Sequence, residues 1–527
     1  MGGHLFVLRG DLTKLHCSGV LVPCDENWEL VWDNWEPLLS PGQFVPSDQY
    51  GARLRNNAFN GRFRDLDQIG GRQIRLVVTA REGEDDAEWV ADGVTQAIED
   101  FATRLDAGTG RAKPLVALPL VGTGEGGFKN RRGKLIGALV PALRDVASRV
   151  NVDVAVVLYD ERDYAAIQGQ RSATDWSEAE FSQEQLTVAD ELGAKSARGE
   201  LSLFLGSGVS TPLGLPSWQQ LLEELGGKQL ARFDPAEAPR LAQLISDDIG
   251  RDHFRNGAAA MLTASGFAPA HLLLASLGSK QTVTTNFDRA FESALNGAIG
   301  AANYRVMTQQ LAQQPLSWLL KIHGDVDDPN SMVITEDDYE ILEADRPALI
   351  AIVDSLLLTS HLMFVGYSMA DPIIVKAAER VGRIRNLAAN KPSRPLATVL
   401  ALDPAAVSTL DGFSTVTMLR QGGDDVSAAR KLEIFLDRIA WAAAQEGTGA
   451  LAYLLDPDYD DLFEEDAATN RLRDALRQLS WLKRSDPTPD STRAWGRVDQ
   501  FLAELGEREH PWRRESEGLQ GRQPTDR

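Results

Sequence analysis

The chain has 527 residues, which predicts roughly three or four domains. Hydrophobic residues make up 43% of the sequence and charged residues 25%, proportions that exclude a chain disordered along its whole length. Acidic side chains outnumber basic ones by 76 to 54, and the net charge of −22 argues against a protein that coats nucleic acid or an anionic membrane.

Short apolar segments alternate with helical patterns through the first third of the chain. This alternation is typical of an α/β domain, which we assign to residues 1–170. A polar stretch rich in Ser, Gln and Asp then predicts a linker at 171–189. The predicted strands are Leu5–Leu8, Gly19–Val22, Ile74–Val78, Leu115–Leu118 and Val154–Leu158, and the predicted helices are Ala91–Leu105 and Gly133–Ser148.

Two loops of this first domain have the composition of nucleotide-binding turns. Asp11 follows the first strand in a G-D-L-T segment, and a G-T-G-x-G-G-F loop follows the strand that ends at Leu118. Over residues 1–170 these motifs resemble the macrodomain family. The resemblance implies that Asp11 contacts adenine and that the glycine loop wraps the phosphate and distal ribose of an ADP-ribose-like ligand. The residues of that loop are Gly122, Thr123, Gly124, Gly126, Gly127 and Phe128.

The loop after the second strand departs from the macrodomain pattern. Asp25 stands where the family carries a catalytic Asn, and the usual run of glycines is missing. Trp28, Trp32 and Trp35 follow, either as core residues or as an aromatic wall for a different nucleotide. The departure argues against ADP-ribosyl hydrolase activity. It favours a sensor domain for an ADP-ribose-like or cyclic ADP-ribose-like signal.

A second α/β series occupies residues 190–425, with polar residues after four of its strands. The segments are a glycine loop at 206–210, T-T-N-x-D at 284–288, I-H-G-D at 322–325 and F-V-G-Y-S-x-x-D-P at 364–372. Each segment alone has a plain alternative, as a turn or as a cap of the following helix. The carboxyl ends of parallel strands form a ligand crevice, so together the segments predict a nucleotide pocket. The predicted strands are Ser202–Phe204, Thr282–Thr284, Leu319–Ile322, Leu362–Val365 and Val399–Leu402.

In this order the four segments resemble the sirtuin superfamily, and in particular the sirtuin-like (SIR2) domains of bacterial anti-phage defence proteins. The resemblance implies a Rossmann-like fold that binds NAD. It assigns His323 as the catalytic base and directs Asn286 and Asp288 toward the nicotinamide ribose. The residues assigned to NAD binding are Gly206, Ser207, Gly208, Ser210, Thr285, Gly366, Ser368 and Asp371.

The cysteine count bears on the reaction. Deacylating sirtuins carry a zinc module of four cysteines after the catalytic histidine, whereas Cys17 and Cys24 are the only cysteines here and both precede it. We therefore expect no zinc and no acyl-lysine cleft, and water as the acceptor. The predicted reaction is hydrolysis of NAD to ADP-ribose and nicotinamide. The alternatives are a sirtuin-type protein ADP-ribosyltransferase or deacylase, and a non-catalytic regulator that binds NAD or ADP-ribose.

Helical spacing replaces the strands after residue 425. We predict a helical segment at 426–507, with helices at Ala428–Gln445, Asn470–Leu482 and Trp495–Leu505, and a flexible tail at 508–527. We expect these helices to cap the sirtuin-like domain, with an oligomer or partner surface as the alternative.

The resemblance extends to Thoeris-type effectors, which implies an NAD hydrolase that stays silent until infection. A signal made by a TIR-domain protein or a phage protein would be the trigger, and a homo-oligomer is expected by analogy with the family. The sequence contains no uninterrupted apolar run of the roughly 20 residues that a transmembrane helix needs. It also lacks a signal-peptide pattern, so we expect a soluble cytoplasmic protein with no nucleic-acid partner.

Overall fold

The computed structural model describes residues 2–47, 50–55, 61–83, 86–108, 110–124, 127–176, 180–308, 317–367, 369, 371–387, 395–402, 412–418, 424–485 and 493–507. Within these residues the predicted α/β class is confirmed, because two separate sheets with helices between their strands account for most of the chain.

The first domain is built on a six-stranded sheet with the order β1-β9-β8-β2-β7-β6. Neighbouring strands are parallel except for β6, which pairs antiparallel with β7. A small antiparallel sheet of order β3-β5-β4 follows β2. The elements are β1 Leu5–Arg9, β2 Gly19–Asp25, β3 Glu29–Val31, β4 Phe44–Pro46, β5 Gly51–Leu54, β6 Phe63–Asp65, β7 Gln73–Ala80, α1 Ala87–Ala102, β8 Leu115–Leu118, α2 Arg132–Arg149, β9 Asp153–Leu158 and α3 Glu161–Gly169.

The second sheet contains seven described strands, all parallel, in the order β12-β13-β11-β10-β14-β15-β16. Its central strands are apolar and buried because helices cover both faces. The elements are α4 Gln183–Ala197, β10 Leu201–Leu205, α5 Trp218–Gly226, α6 Ala238–Ile249, α7 Arg251–Met261, α8 Pro269–Ser276, β11 Gln281–Thr284, α9 Ala290–Ile299, β12 Tyr304–Met307, β13 Ser317–Lys321, α10 Glu336–Asp345, α11 Pro347–Thr359, β14 His361–Val365, α12 Pro372–Leu387, β15 Ala397–Ala401 and β16 Phe413–Thr417.

Strand β10 marks the point where the second sheet reverses its direction of growth. From β10 the chain adds β11 beside it, then β12 at the edge and β13 between β12 and β11, and it then returns to place β14 on the other side of β10. In open α/β sheets the crevice beyond the carboxyl ends of the strands at such a reversal is the usual ligand site.

The C-terminal helices are α13 Asp425–Glu446, α14 Ala467–Ser485 and α15 Arg493–Glu504. Helix α13 lies between the two sheets. Its fully buried Asp437 bonds His4 Nε2 at 2.8 Å and Arg171 Nη2 at 2.5 Å, and its Arg438 bonds Asp190 of α4 at 2.7 Å.

The described part of the chain after α13 covers the first domain, so the expectation that the C-terminal helices cap the second domain is wrong for residues 450–485 and 493–507. Tyr459 packs so closely on α2 that a Cβ at Gly133 would lie 2.9 Å from the Tyr459 backbone, and its Oη donates to Asp163 at 2.7 Å. The apolar face of this segment pairs with the outer face of α2, a match that amphipathic spacing alone does not specify.

The two domains also meet through a short backbone ladder. The amide of His16 donates to the carbonyl of Phe267 at 2.8 Å, and the amide of Phe267 donates to the carbonyl of Lys14 at 3.1 Å. Next to this ladder, a Cβ at Gly10 would lie 2.5 Å from Leu272 of α8. The loop at 10–16, which includes the predicted ligand residue Asp11, therefore rests directly on the second domain.

The described part of the predicted linker at 171–189 is packed. Trp176 and Phe181 are buried, and α4 begins at Gln183. Cys17 and Cys24 are buried free thiols. Among the described helices, none is long and apolar enough to cross a membrane.

Candidate active site

The carboxyl ends of β10, β11, β13 and β14 surround a cavity of about 620 Å³. The cavity lies at the reversal point of the sheet, and all four sequence segments contribute to it. Gly206 begins the turn that leads into the lining, and Ser368 lies outside the described residues. The lining includes the predicted residues Ser207, Gly208, Ser210, Thr285, Asn286, Asp288, His323, Gly366 and Asp371.

The glycines of the first and fourth segments allow two loops to touch. A Cβ on Gly206 would lie 2.5 Å from the carbonyl oxygen of Gly366, and a Cβ on Gly208 would lie 2.8 Å from its Cα. Gly366 itself has φ +64°, a conformation that L side chains rarely adopt. The amides of Gly206 and Gly208 donate to Val365 and Gly366 at 3.0 and 2.9 Å. These two amides hold the loops together in this structure, so the predicted phosphate role for them stays a prediction.

Ser210 is the centre of a buried hydrogen-bond network. Its Oγ donates to Asp288 Oδ2 at 2.9 Å, accepts from Asn286 Nδ2 at 3.3 Å and lies 3.3 Å from Nε2 of His271. The other oxygen of Asp288 accepts from the amide of Ala290 at 2.9 Å, at the start of α9. Asp288 therefore belongs both to the cavity wall and to the beginning of the helix.

His323 lies beside a carboxylate that the sequence assigned to NAD binding. His323 Nε2 is 3.2 Å from Asp371 Oδ2, and the Oη of Tyr339 donates to the same oxygen at 3.5 Å. The Tyr339 ring is edge-on to the imidazole, with centroids 5.3 Å apart. Burial, and then Asp371, raise the pKa of Tyr339 well above its usual value, so the phenol stays a neutral donor. This geometry brings Asp371 to the predicted base.

Three buried polar atoms of the cavity residues have no hydrogen-bond partner among the described residues. They are Asn286 Oδ1, Tyr367 Oη and His323 Nε2, whose 3.2 Å approach to Asp371 Oδ2 is an ion-pair distance without the geometry of a hydrogen bond. Nearly all buried polar groups in proteins are paired, so these three atoms in a cavity are available for hydrogen bonds with a polar ligand or with water. The cavity also lies within the range of about 300–1,000 Å³ that is usual for small-molecule sites.

The apolar side of the cavity was not predicted from the sequence. It comes from the segment between β10 and β11, which contains α5 to α8. Leu215, Trp218, Phe233 and Leu262 lie on this side. The ring of Trp218 meets that of Phe287 edge-on at 6.5 Å. This side can accommodate flat, weakly polar groups.

Lys321 is a further residue that the sequence did not single out, although it directly precedes the I-H-G-D segment. It is fully buried, and its Nζ bonds the carbonyl oxygens of Phe287 and Asp288 at 2.9 and 2.7 Å. Nζ also meets the carboxylates of Glu292 at 2.8 Å and Asp325 at 2.9 Å. One ammonium group therefore ties the loop that carries Asn286 and Asp288 to the loop that carries His323.

The predicted ligand loops of the first domain lie at the carboxyl edge of its sheet. Asp11 Oδ1 accepts from the amide and hydroxyl of Thr13 at 3.0 and 2.6 Å, and Asp25 Oδ1 accepts from the amide of Glu29 at 2.7 Å. Both carboxylates therefore already stabilise their own turns. Gly122 and Gly127 have φ of +77° and +86°.

The rest of the glycine loop is divided between the interior and the surface. Phe128 is buried in the core, and the hydroxyl of Thr123 donates to the carbonyl of Leu120 at 2.9 Å. A Cβ on Gly124 would meet no atom within 4 Å, and Gly126 lies outside the described residues.

The tryptophans after β2 favour the core alternative. Trp28 and Trp35 are buried among apolar side chains, and Trp32 is partly buried against the ring of Phe44 with centroids 5.4 Å apart. Within the described residues, no group of three or more His, Cys, Asp or Glu side chains is arranged to hold a metal ion.

The sequence of the second domain matches a known family. Residues 280–409 match the model of the SIR2-like domain family, and this range contains the T-T-N-x-D, I-H-G-D and F-V-G-Y-S segments. The resemblance to the sirtuin superfamily is thereby confirmed for the domain that contains the cavity.

Several curated proteins are similar in sequence to about a third of this chain. The NAD(+) hydrolase ThsA of Acinetobacter baumannii is 26% identical over 200 residues, which cover 36% of this chain and 41% of that protein. The NAD(+) hydrolase ThsA of Enterococcus faecium is 31% identical over 189 residues, covering 33% and 38%. The Defense-associated sirtuin 2 of Bacillus subtilis is 25% identical over 219 residues, covering 38% and 21%. The chain thus spans at most about two fifths of the length of these relatives.

Proposed function

We propose that the chain is an NAD⁺ hydrolase of bacterial anti-phage defence, which cleaves NAD to ADP-ribose and nicotinamide. The observation that carries the proposal is the cavity at the reversal point of a SIR2-like domain, where three buried polar atoms have no partner among the described residues. The names of the relatives, two NAD(+) hydrolases and a defence-associated sirtuin, support the same reaction and setting.

The reaction requires that the ribose or the water is oriented, that a proton is taken up, and that the developing positive charge is stabilised. Cleavage breaks the bond between the ribose C1′ and the nicotinamide nitrogen, the electron pair leaves with nicotinamide, and C1′ gains oxocarbenium character. The free Oδ1 of Asn286 can accept from a ribose hydroxyl or from water and so orient it. His323 Nε2 can take the proton of the attacking water as its oxygen bonds C1′.

Two carboxylates support these groups in different ways. Asp371, 3.2 Å from His323 Nε2, stabilises the imidazolium that forms when His323 takes a proton. Asp288 has both oxygens engaged, with Ser210 and with the amide of Ala290. It therefore acts as a positioning residue and adds negative potential near the developing cation.

Water is the proposed acceptor because both cysteines precede the I-H-G-D segment, leaving none for a zinc module after His323. A protein ADP-ribosyltransferase or a deacylase would share the NAD pocket and would transfer label from NAD to protein or consume an acyl-lysine peptide. A non-catalytic regulator would bind NAD without consuming it.

The first domain is proposed to be the sensor that controls this activity. An ADP-ribose-like or cyclic ADP-ribose-like signal, made by a TIR-domain protein, would bind at the carboxyl edge of its sheet, near Asp11 and Gly124. A phage protein is the alternative trigger. The contact of the loop at 10–16 with α8 supports communication between the domains. A cytoplasmic homo-oligomer is part of the same proposal.

The experiment measures cellular NAD in bacteria that express the chain, with and without phage infection, and nicotinamide release by the purified protein with ADP-ribose or cyclic ADP-ribose added. We expect NAD to fall only after triggering, and His323→Ala and Asn286→Ala each to abolish the loss. His253→Ala, an exposed histidine on α7, is the matched control and should behave as wild type. An equal fall of NAD in the two active-site variants would refute the assignment. Label transferred to protein, or NAD bound but never consumed, would refute hydrolysis.

A further inference from the structure

A second histidine, His271, contacts the Ser210 hydrogen-bond network on the side away from the cavity. His271 on α8 is buried, with its Nε2 3.3 Å from Ser210 Oγ and its Nδ1 accepting from the amide of Ala268 at 3.2 Å. It is separate from the four segments at the strand ends and does not line the cavity described above.

The protonation state of His271 follows from its contacts. The amide of Ala268 has a hydrogen to donate, so Nδ1 must be the unprotonated nitrogen and Nε2 must carry the proton. Burial is the main cause that lowers the pKa of His271, to about 4, and the ring is therefore neutral at pH 7.

This tautomer gives every hydrogen bond around Ser210 a direction. Ser210 Oγ accepts from His271 Nε2 and from Asn286 Nδ2, so both of its lone pairs are used and its hydrogen points to Asp288 Oδ2. With Nδ2 of Asn286 engaged in this way, Oδ1 is the amide atom left without a partner. A buried network whose hydrogen bonds around one hydroxyl all have a fixed direction holds its members in one arrangement.

We propose that His271 is a positioning residue, which fixes Ser210 and, through it, the orientation of Asn286 and Asp288 in the NAD cavity. This inference rests on the proposed function, because it takes Asn286 and Asp288 to act on NAD. Without the His271 proton, the Ser210 hydroxyl is free to rotate and the Asn286 amide is free to flip. A flipped amide presents a donor to the ribose in place of an acceptor.

The first test compares two substitutions at this position. His271→Leu removes the proton donor and keeps apolar volume, and His271→Gln keeps a donor. We expect the Leu variant to lower kcat by about tenfold while KM stays within about twofold, and the Gln variant to recover most of kcat. In a Ser210→Ala background, His271→Leu should cause no further loss, because the two residues act as one unit.

As a control, thermal unfolding and calorimetric measurement of NAD binding would establish that each variant is folded. Equal losses in the Leu and Gln variants, or losses that multiply in the double variant, would overturn the proposal.

The second test needs no turnover. In protein labelled with ¹⁵N-histidine, the His271 signals are identified by their loss in His271→Gln. At pH 7 they should show a neutral ring with the proton on Nε2. Ser210→Ala should shift the Nε2 signal, whereas His253→Ala should leave it unchanged. A proton on Nδ1 or a charged ring would overturn the inference, even in an active enzyme. If the assigned tautomer is found but triggered protein never consumes NAD, the proposed hydrolase function fails and the assigned network stands.

Discussion

Replacement of Lys321 by Met tests how the two catalytic loops are held together. Lys321 is fully buried, and its ammonium group meets two carbonyl oxygens and the carboxylates of Glu292 and Asp325 at 2.7 to 2.9 Å. Met preserves most of the apolar stem and removes the charge. Breaking a buried ion pair by removing one partner costs about 3–5 kcal/mol, because the other partner stays buried without compensation. This is a large share of the roughly 5–15 kcal/mol that stabilises an ordinary domain.

The free energy of unfolding from urea denaturation measures the loss. Burial already raises the pKa of Glu292, and loss of Lys321 removes the main group that opposes this shift. A carboxyl group whose pKa is raised on folding favours the folded state when protonated. The deficit of Lys321→Met should therefore be small near pH 4 and grow as the pH rises through the unfolded-state pKa of Glu292 toward its folded-state value.

Two comparisons make the reasoning refutable. Adding Glu292→Gln to Lys321→Met removes one unpaired charge and should recover part of the stability at pH 7. Lys280→Met, at an exposed lysine just before β11, should change the free energy of unfolding by less than about 0.5 kcal/mol. A loss below about 1 kcal/mol in Lys321→Met, or no recovery in the double variant, would show that the ammonium group does not organise these loops.

Three further outcomes follow from the geometry. Asp371→Asn should lower kcat by roughly 10²-fold with an unchanged circular dichroism spectrum, because it removes the carboxylate beside His323; full activity would exclude that role. Gly366→Ala should lower the melting temperature by several degrees because it combines φ +64° with a close backbone contact, whereas Gly382→Ala, in open space on α12, should raise it slightly; equal shifts would contradict the contact. Burial raises the pKa of the Cys17 thiol to about 11, so at pH 8 both cysteines should react with a thiol reagent only after urea is added, and rapid labelling of the native protein would be inconsistent with this packing.

The strands and the cavity were predictable for one physical reason. Parallel strands that are buried on both faces are continuous apolar runs, and their carboxyl ends necessarily meet at one edge. This brought Asn286, Asp288 and His323 together from separate parts of the sequence. Strands β3 to β5 are short and lie outside the main sheets, so they lack such a run and were missed. The edge strands β6, β12 and β16 were missed too, because they are partly exposed and their apolar pattern is broken.

Partners chosen by tertiary packing could not be predicted. His271 is part of an ordinary apolar helix in sequence, and only the packing of α8 behind Ser210 gives its ring a role. Phe128 matched a ligand motif, yet its side chain fills the core. Amphipathic spacing after residue 447 indicated that one face is buried, but the choice of α2 as its partner depends on the fit of Tyr459 over Gly133.

The position of α13 along the chain has a consequence for synthesis. The helix supplies Asp437 to His4 and Arg171, Glu433 to Arg111 at 3.0 Å and Arg430 to Asp153 at 2.7 Å. At about 5–20 residues per second, the ribosome needs roughly 13 to 51 s to make residues 171–424, which separate the first domain from this helix. During that time Arg111 and Asp153 of the first domain lack the charged partners that α13 supplies in the folded protein. Its fold is therefore completed last by a late part of the chain, and a product that stops before residue 425 lacks the helix that joins the proposed sensor to the proposed enzyme.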